Sequence, residues 1–184
     1  TLFLTGSSTG DNEIRLQLAD NLNGALPAPL SVTKTGPGLW VLGGSANTYS
    51  GTTTVSGGVL QAADGQGLSP SSNLFLNGGL FQSSGLFSRV VGTGSGQVSF
   101  GSQGGGFASS GTRLVVNLTG PLSLQNSGSL LFGSPVASGD VELRSALDLG
   151  NAGARTVWVD DNLNHGFDYA TITGVLSGGT QLTK

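Results

Sequence analysis

The hydrophobic positions of this chain fall in short alternating runs and never in a helical stripe. Leu2-Phe3-Leu4, Val32-Thr33-Lys34, Leu39-Trp40-Val41-Leu42, Leu74-Phe75-Leu76 and Val141-Glu142-Leu143 are each a few residues long. Glycine corners separate them, among them Gly36-Pro37-Gly38, Gly43-Gly44, Gly57-Gly58 and Gly78-Gly79. Inside a helix, glycine and proline cost about 1 and 3 kcal/mol each. Runs broken this often therefore predict strands, joined by corners that accept positive φ. Along Glu13-Ile14-Arg15-Leu16-Gln17-Leu18 the alternation turns Ile14, Leu16 and Leu18 inward and leaves Glu13, Arg15 and Gln17 in water. Leu114, Val116 and Leu118 alternate in the same way, as do Val141 and Leu143. Trp40 and Phe75 fall out of phase with their strands and are expected at the surface. Gln103 to Gly111, broken only by Phe107, reads as the most flexible segment.

A chain that turns at this pace without a crossover helix coils into a solenoid. The corner spacing gives roughly 20–25 residues per coil, hence roughly seven to nine coils. Residues 1–184 show no domain boundary and read as one continuous all-β solenoid, a unit of a longer repeat array or filament. Rows of leucine, valine and phenylalanine stack inside it, each buried side chain contributing about 1.5–3 kcal/mol.

Lys34, Gly36, Gly38, Leu42, Gly44, Asn47, Tyr49, Gly51, Thr54, Gly58 and Leu60 stand as in a known repeat. The stretch resembles the autotransporter-associated β-strand repeat of bacterial surface and secreted passengers, with Ser45 as a one-residue insertion at a corner. The segments 89–98, 105–111, 158–162 and 168–178 are also similar to such passengers. The resemblance implies a single-stranded, right-handed parallel β-helix outside the cell or on the bacterial surface. It brings no catalytic residues with it.

Composition narrows the reading further. The chain has 33 glycines and only 9% charged residues, against about 7% and about 25% in ordinary proteins. Its 36% hydrophobic content, arranged in alternation, argues for a folded chain and against disorder. A net charge of −3 leaves no electrostatic footprint for nucleic acid. Without cysteine, neither disulfides nor thiolate metal sites can form. No apolar run reaches the roughly 18 residues of a membrane span. With no initiator methionine or signal peptide in view, the expected source is a mature segment or one piece of a longer polypeptide.

Candidate chemistry is sparse. Gly6-Ser7-Ser8-Thr9-Gly10 fits the nucleophile-elbow pattern, with Asp148 and the only histidine, His165, following in hydrolase order. The elbow needs a strand-turn-helix setting that the pattern does not offer, so a turn is expected there. Asp160, Asn162 and Asn164 resemble half of a calcium loop, but Gly166 comes one place late and Thr171 stands where glutamate belongs. An asparagine-rich corner is the simpler expectation. Asp11 with Glu13, and Glu142 with Arg144, lie at strand spacing on a solvated face; two acids about 5–10 Å apart could also serve glycoside hydrolysis. The glycines around Gly94 and Gly105 lack the lysine-serine ending of a phosphate loop. The Thr52-Thr53-Thr54 run does not recur once per coil, as an ice-binding ladder would.

The ends carry the most specific expectation. Leu182-Thr183-Lys184 repeats the form of Val32-Thr33-Lys34, and Thr1-Leu2-Phe3-Leu4 that of the strand after the Gly36 corner. Neither end carries the polar cap that solenoids need for solubility. Thr1, Leu2, Phe3, Leu4, Gln181, Leu182, Thr183 and Lys184 are therefore the candidate self-association residues, binding further copies or adjoining repeats head-to-tail. The expected function is a non-enzymatic surface fibre, rigid spacer or adhesive passenger, with no cofactor or metal. The alternative is a β-helix that binds or cleaves surface polysaccharide, which rests on analogy between folds.

Overall fold

The computed structural model describes residues 1–22, 28–120, 122–124, 128–151, 153–179 and 182–183. Every named strand pairing is parallel. One sheet stacks β1 (Leu2–Leu4), β3 (Val32–Lys34), β5 (Thr53–Val55), β7 (Leu74–Leu76) and β9 (Val98–Phe100). A longer sheet stacks β2 (Asn12–Ile14), β4 (Leu39–Leu42), β6 (Val59–Ala62), β8 (Leu80–Phe87), β10 (Gly104–Val116), β12 (Ser129–Phe132), β15 (Arg155–Val159) and β18 (Leu182–Thr183). From the second half of β10 a branch continues through β13 (Val141–Leu143) and β16 (Ala170–Ile172). A third sheet, β11 (Leu122–Ser123), β14 (Leu147–Asp148) and β17 (Leu176–Ser177), serves the later coils.

Strands of the same direction, in register and separated by one coil each, make a β-solenoid of about six turns, fewer than the seven to nine that the corner spacing predicts. The reason lies in the coil length. Val32 pairs with Thr53 and Thr53 with Leu74, a repeat of 21 residues. From β8 onward the repeat lengthens to between 25 residues, as from Gly104 to Ser129, and 29, as from Gly85 to Leu114 and from Val141 to Ala170. The added residues in each lap build a further side to the coil, so the solenoid widens at β8.

Inside, register builds continuous rows. Trp40, Leu60, Phe81, Phe107 and Phe132 follow one another across neighbouring strands. The last four are fully buried. Phe87 sits 5.3 Å from Phe81 and 5.4 Å from Phe107, and Phe100 lies edge-on to Phe107 at 6.2 Å. Tilted aromatic pairs at such spacings contribute about 0.5–1.5 kcal/mol beyond the area they bury.

Two expectations, for Trp40 and Leu16, are corrected here. Trp40 points inward, in line with Leu60, and is half-buried with its indole N–H donating to the Thr5 carbonyl at 2.9 Å. Phe75 does face outward as its phase predicts, in the row between Thr54 and Ser99, and is half-buried there. Leu16 is 77% exposed, because β2 ends at Ile14, whose carbonyl takes the N–H groups of Gly43 and Gly44.

The segment from Gln103 to Gly111 is the largest correction. Most of it belongs to β10, the longest strand, and Gly104 to Ser109 are buried. Gly104, Gly105 and Gly106 serve close approach and not flexibility: a Cβ on Gly106 would run into the Leu131 carbonyl oxygen of the next coil. That neighbour is backbone and cannot swing away. Gly106→Ala is therefore expected to destabilise the chain by about 1–3 kcal/mol, the usual cost of overpacking. A urea denaturation midpoint equal to that of the parent chain would contradict this.

Candidate functional site

The two ends of the solenoid are its most exposed apolar regions. Apart from Leu86 and Val90, every exposed large apolar residue among the described ones lies in the first or the last coil. Val159 continues the Phe132 row and Leu176 the Leu147 row, yet they are 43% and 49% exposed. At the other end β1 pairs only with β3: Leu4 is buried, Leu2 half-buried, Thr1 exposed, and Phe3 exposed on the outward side. Leu182 and Thr183 form β18 against Arg155 and Thr156. Gln181 and Lys184 lie outside the described residues. The candidate self-association residues do not form one site within the chain: β1 is the edge of the first sheet and β18 the last strand of the longer one. The structure also corrects their assignment, since Leu2–Leu4 stack on Val32–Lys34 and not on the strand after the Gly36 corner.

Within the coils, two buried cations were missed by sequence reasoning. Lys34 shares an inward row with Leu4 and Val55. It is fully buried, and its Nζ donates to the carbonyls of Thr35 (3.0 Å), Gly36 (2.8 Å) and Gly57 (2.9 Å). These carbonyls belong to two stacked corners, so one ammonium ties coil to coil. Burial pushes its pKa down to about 8. The alternation in Val32-Thr33-Lys34 was the available signal, since Val32 and Lys34 must share a face.

Arg89 is the second. Its guanidinium contacts Asp64 Oδ1 through Nε (3.0 Å) and Nη2 (2.6 Å), and reaches the carbonyls of Ser72 (2.6 Å) and Ser69 (3.1 Å). It also stands 5.7 Å over the Phe87 ring. Nearby, fully buried Tyr49 meets Thr53 Oγ1 at 2.8 Å, Thr53 meets Ser72 Oγ at 2.8 Å, and Ser72 donates to the Gly51 carbonyl at 2.7 Å. Burial raises the Tyr49 phenol pKa. Thr53 is thus an interior hydrogen-bonding residue and not a rung of a surface threonine ladder.

The remaining sequence candidates resolve into corners and surface pairs. Gly6 and Ser8 offer their carbonyls to Gly38 and Leu39 of the next coil, whereas Asp148 lies in the third sheet and His165 is exposed near the far end. The elbow residues are not brought together. At the calcium-like corner, Asn162 Oδ1 accepts from Asn164 N–H, Asn162 Nδ2 donates to the Ala137 carbonyl, and Asp168 Oδ2 accepts from Asn162 N–H. These oxygens are occupied in shaping the turn. Gly94 belongs to a corner held by Gln97 and Asn73.

One charge cluster does form on an outer face. Arg113 pairs with Asp140 at 2.6 Å and approaches Glu142 at 3.5 Å, and Arg144 pairs with Glu142 at 2.9 Å. The Arg144 guanidinium holds the Glu142 carboxyl below its usual range, helped by Thr173 and Arg113 against partial desolvation. Glycoside hydrolysis needs a carboxyl raised so that it can donate a proton. Glu142 is shifted the other way. None of the four residues lines the cavity beside Gly44 and Gln66 or the one beside Gly65 and Arg89.

Residues 32–62 match the family model of the passenger-associated-transport-repeat. The matched stretch is the one whose residues resemble the autotransporter repeat, and it holds Lys34, its two corners, Asn47 and Tyr49. No curated protein and no solved structure matches the chain.

Proposed function

From a β-solenoid that carries a passenger-associated-transport-repeat, we propose a structural role in a secreted or cell-surface autotransporter passenger, without enzymatic activity. The repeat and the fold together support a passenger-type structural protein, and the repeat suggests the location. The observation that carries the finer reading is the state of the end coils, where interior rows continue into exposed Val159 and Leu176. At the opposite end the edge strand β1 offers unpaired backbone groups, a template for another strand. Further coils, of the same polypeptide or of another copy, cover these faces and extend the rod. Its mechanics follow from parallel ladders and stacked rows running from coil to coil, which make a stiff spacer. The polysaccharide-cleaving alternative finds its only charge cluster among the described residues neutralised by arginines on an outer face.

Electron microscopy of the purified 184 residues tests the end-to-end reading. Linear assemblies one solenoid wide are the expected result. Light scattering that shows a stable monomer at high concentration would remove the stacking claim. Release of new sugar ends from a soluble surface polysaccharide would overturn the non-enzymatic claim.

A further inference from the structure

Where the solenoid widens, its stack of corners is interrupted. The corners at 43–47 and 63–67 lie one on the other: Asn47 N–H donates to the Gln66 carbonyl at 3.0 Å, and Asn47 Nδ2 to the Gly67 carbonyl at 2.7 Å. β6 ends at Ala62, just before the second of these corners. β8, the next strand of the sheet, runs on to Phe87 instead of turning with them. Beside the two corners and the middle of β8 lies a cavity of about 410 Å³. Ligand sites typically hold roughly 300–1,000 Å³.

Ser83 is the group in its wall that calls for a ligand. The residue is 4% exposed and lines the cavity. Its hydroxyl has no hydrogen-bond partner among the described residues, whereas every polar side-chain atom sealed from solvent there has one. The Ser83 hydroxyl is therefore not sealed, and the space it reaches is the cavity. Ser109, its neighbour in register on β10, gives its own hydroxyl to the Thr112 carbonyl. Buried hydroxyls are normally paired in this way. Gln61 also lines the cavity. Its Oε1 accepts from Gln82 Nε2 at 3.0 Å, and Gln82 Oε1 accepts from the Ser134 hydroxyl at 3.1 Å. That chain fixes the Gln61 carboxamide and leaves its Nε2 donors over. Ser84, Ser110 and Gln66 add further neutral polar groups.

No charged and no aromatic side chain lines the cavity. An anion finds no cation there, a metal ion no carboxylate, and a flat aromatic ligand no ring to stack on. Hydroxyls and carboxamides both donate and accept. The ligand that matches them is uncharged and carries several hydroxyl groups of its own.

We propose that this cavity binds a neutral sugar residue, whose hydroxyls pair with the Ser83 hydroxyl and the Gln61 amide nitrogen. The site binds without cleaving, since glycoside hydrolysis needs a pair of carboxyl groups and no lining residue has one. It lies in the middle coils and is independent of the end faces.

Saturation-transfer NMR on the full 184-residue chain tests this, because it reads binding whether the chain is single or assembled. The probes are D-glucose, D-galactose, a soluble neutral glucan oligosaccharide and glucuronate, at equal millimolar concentration. Saturation should pass to a neutral sugar and not to glucuronate. A hexose bound without the glucan identifies a free sugar as the ligand; a glucan bound more tightly than glucose identifies a unit of a polysaccharide, and either supports the site. Ser83→Ala removes a hydroxyl that no protein group uses, so its urea midpoint should match the parent's. Its sugar affinity should fall about fivefold, the usual worth of a neutral hydrogen bond. Ser84→Leu crowds the cavity from an exposed position and should abolish binding, so this variant decides if Ser83→Ala fails to fold. No transfer to any neutral sugar, equal transfer to glucuronate, or transfer unchanged in both variants would overturn the proposal. None of these outcomes bears on end-to-end assembly.

Discussion

Replacing Lys34 by methionine is expected to destabilise the chain by about 2–4 kcal/mol at pH 7, because three interior carbonyls lose their donors. An orphaned buried acceptor costs about 1–3 kcal/mol, and the carbonyls of Thr35, Gly36 and Gly57 all lose Nζ at once. Methionine keeps the apolar stem, so the loss reports the amine and not a cavity. The pH dependence has a definite sign. The folded chain holds the Lys34 pKa at about 8, below the roughly 10.4 of an unfolded lysine. Between those values the unfolded chain binds the extra proton, so unfolding becomes less favourable as pH rises through the window. The stability difference between the parent and Lys34→Met should therefore widen from about pH 8 to about pH 10.4. A lysine held in an ion pair would give the opposite slope. Urea melts of the two proteins at pH 7, 9 and 10.5 decide between them, and a gap that narrows with pH would refute the assignment.

Much of the architecture was legible because period-two alternation is local. Leu114, Val116 and Leu118 are buried as their spacing predicts, and so are Val141 and Leu143. Alternation failed where the answer lay in another coil. Leu16 continues a perfect pattern, but its strand has already ended on contacts from Gly43 and Gly44. Trp40 looks out of phase beside Leu39, and only its register with Leu60 shows that it faces the core. Gly104 to Gly106 carry the composition of a flexible linker, yet the Ser129 and Leu131 backbones press against them. Glycine has one spelling for two purposes, freedom and closeness, and the neighbouring coil decides which applies. The widening at β8 was hidden for the same reason, since residues 110–113 are inserted opposite Ser84 alone.

The sites were less legible than the fold. Sequence reasoning searched for carboxylates, histidines and nucleophiles meeting one another, whereas the buried cations meet carbonyl oxygens, which every residue has. Lys34 and Arg89 show no partner in sequence beyond a glycine corner and a serine-rich loop. Form alone places Thr1 to Leu4 with Leu39–Leu42, whereas β1 stacks on Val32–Lys34 in the other sheet. Whether the end coils open onto solvent is a matter of what covers them, which Val159 and Leu176 report through their exposure.

Arg89→Met should be the most damaging single change in the middle coils, lowering stability by about 3–5 kcal/mol, the cost of breaking a buried pair from one side. The side chain is 4% exposed and Asp64 23%, so the abandoned carboxylate can recover some water while the Ser69 and Ser72 carbonyls recover little. The larger part of the loss therefore belongs to the two carbonyls. Asp64→Asn tests this division: it keeps the guanidinium on both serine carbonyls and should cost clearly less than Arg89→Met. Arg89→Lys should restore only part of the loss, because an ammonium lacks the planar fork that meets Asp64, Ser69 and Ser72 together. Equilibrium urea unfolding with unchanged slope measures all three. If Arg89→Met lies within about 0.5 kcal/mol of the parent, as harmless surface changes do, then the guanidinium is not what joins the 64–72 loop to the coil above it. The contact between the narrow and the widened halves of the solenoid would then rest on the β6–β8 and β7–β9 ladders and on the packing of Phe81, Phe87 and Phe107.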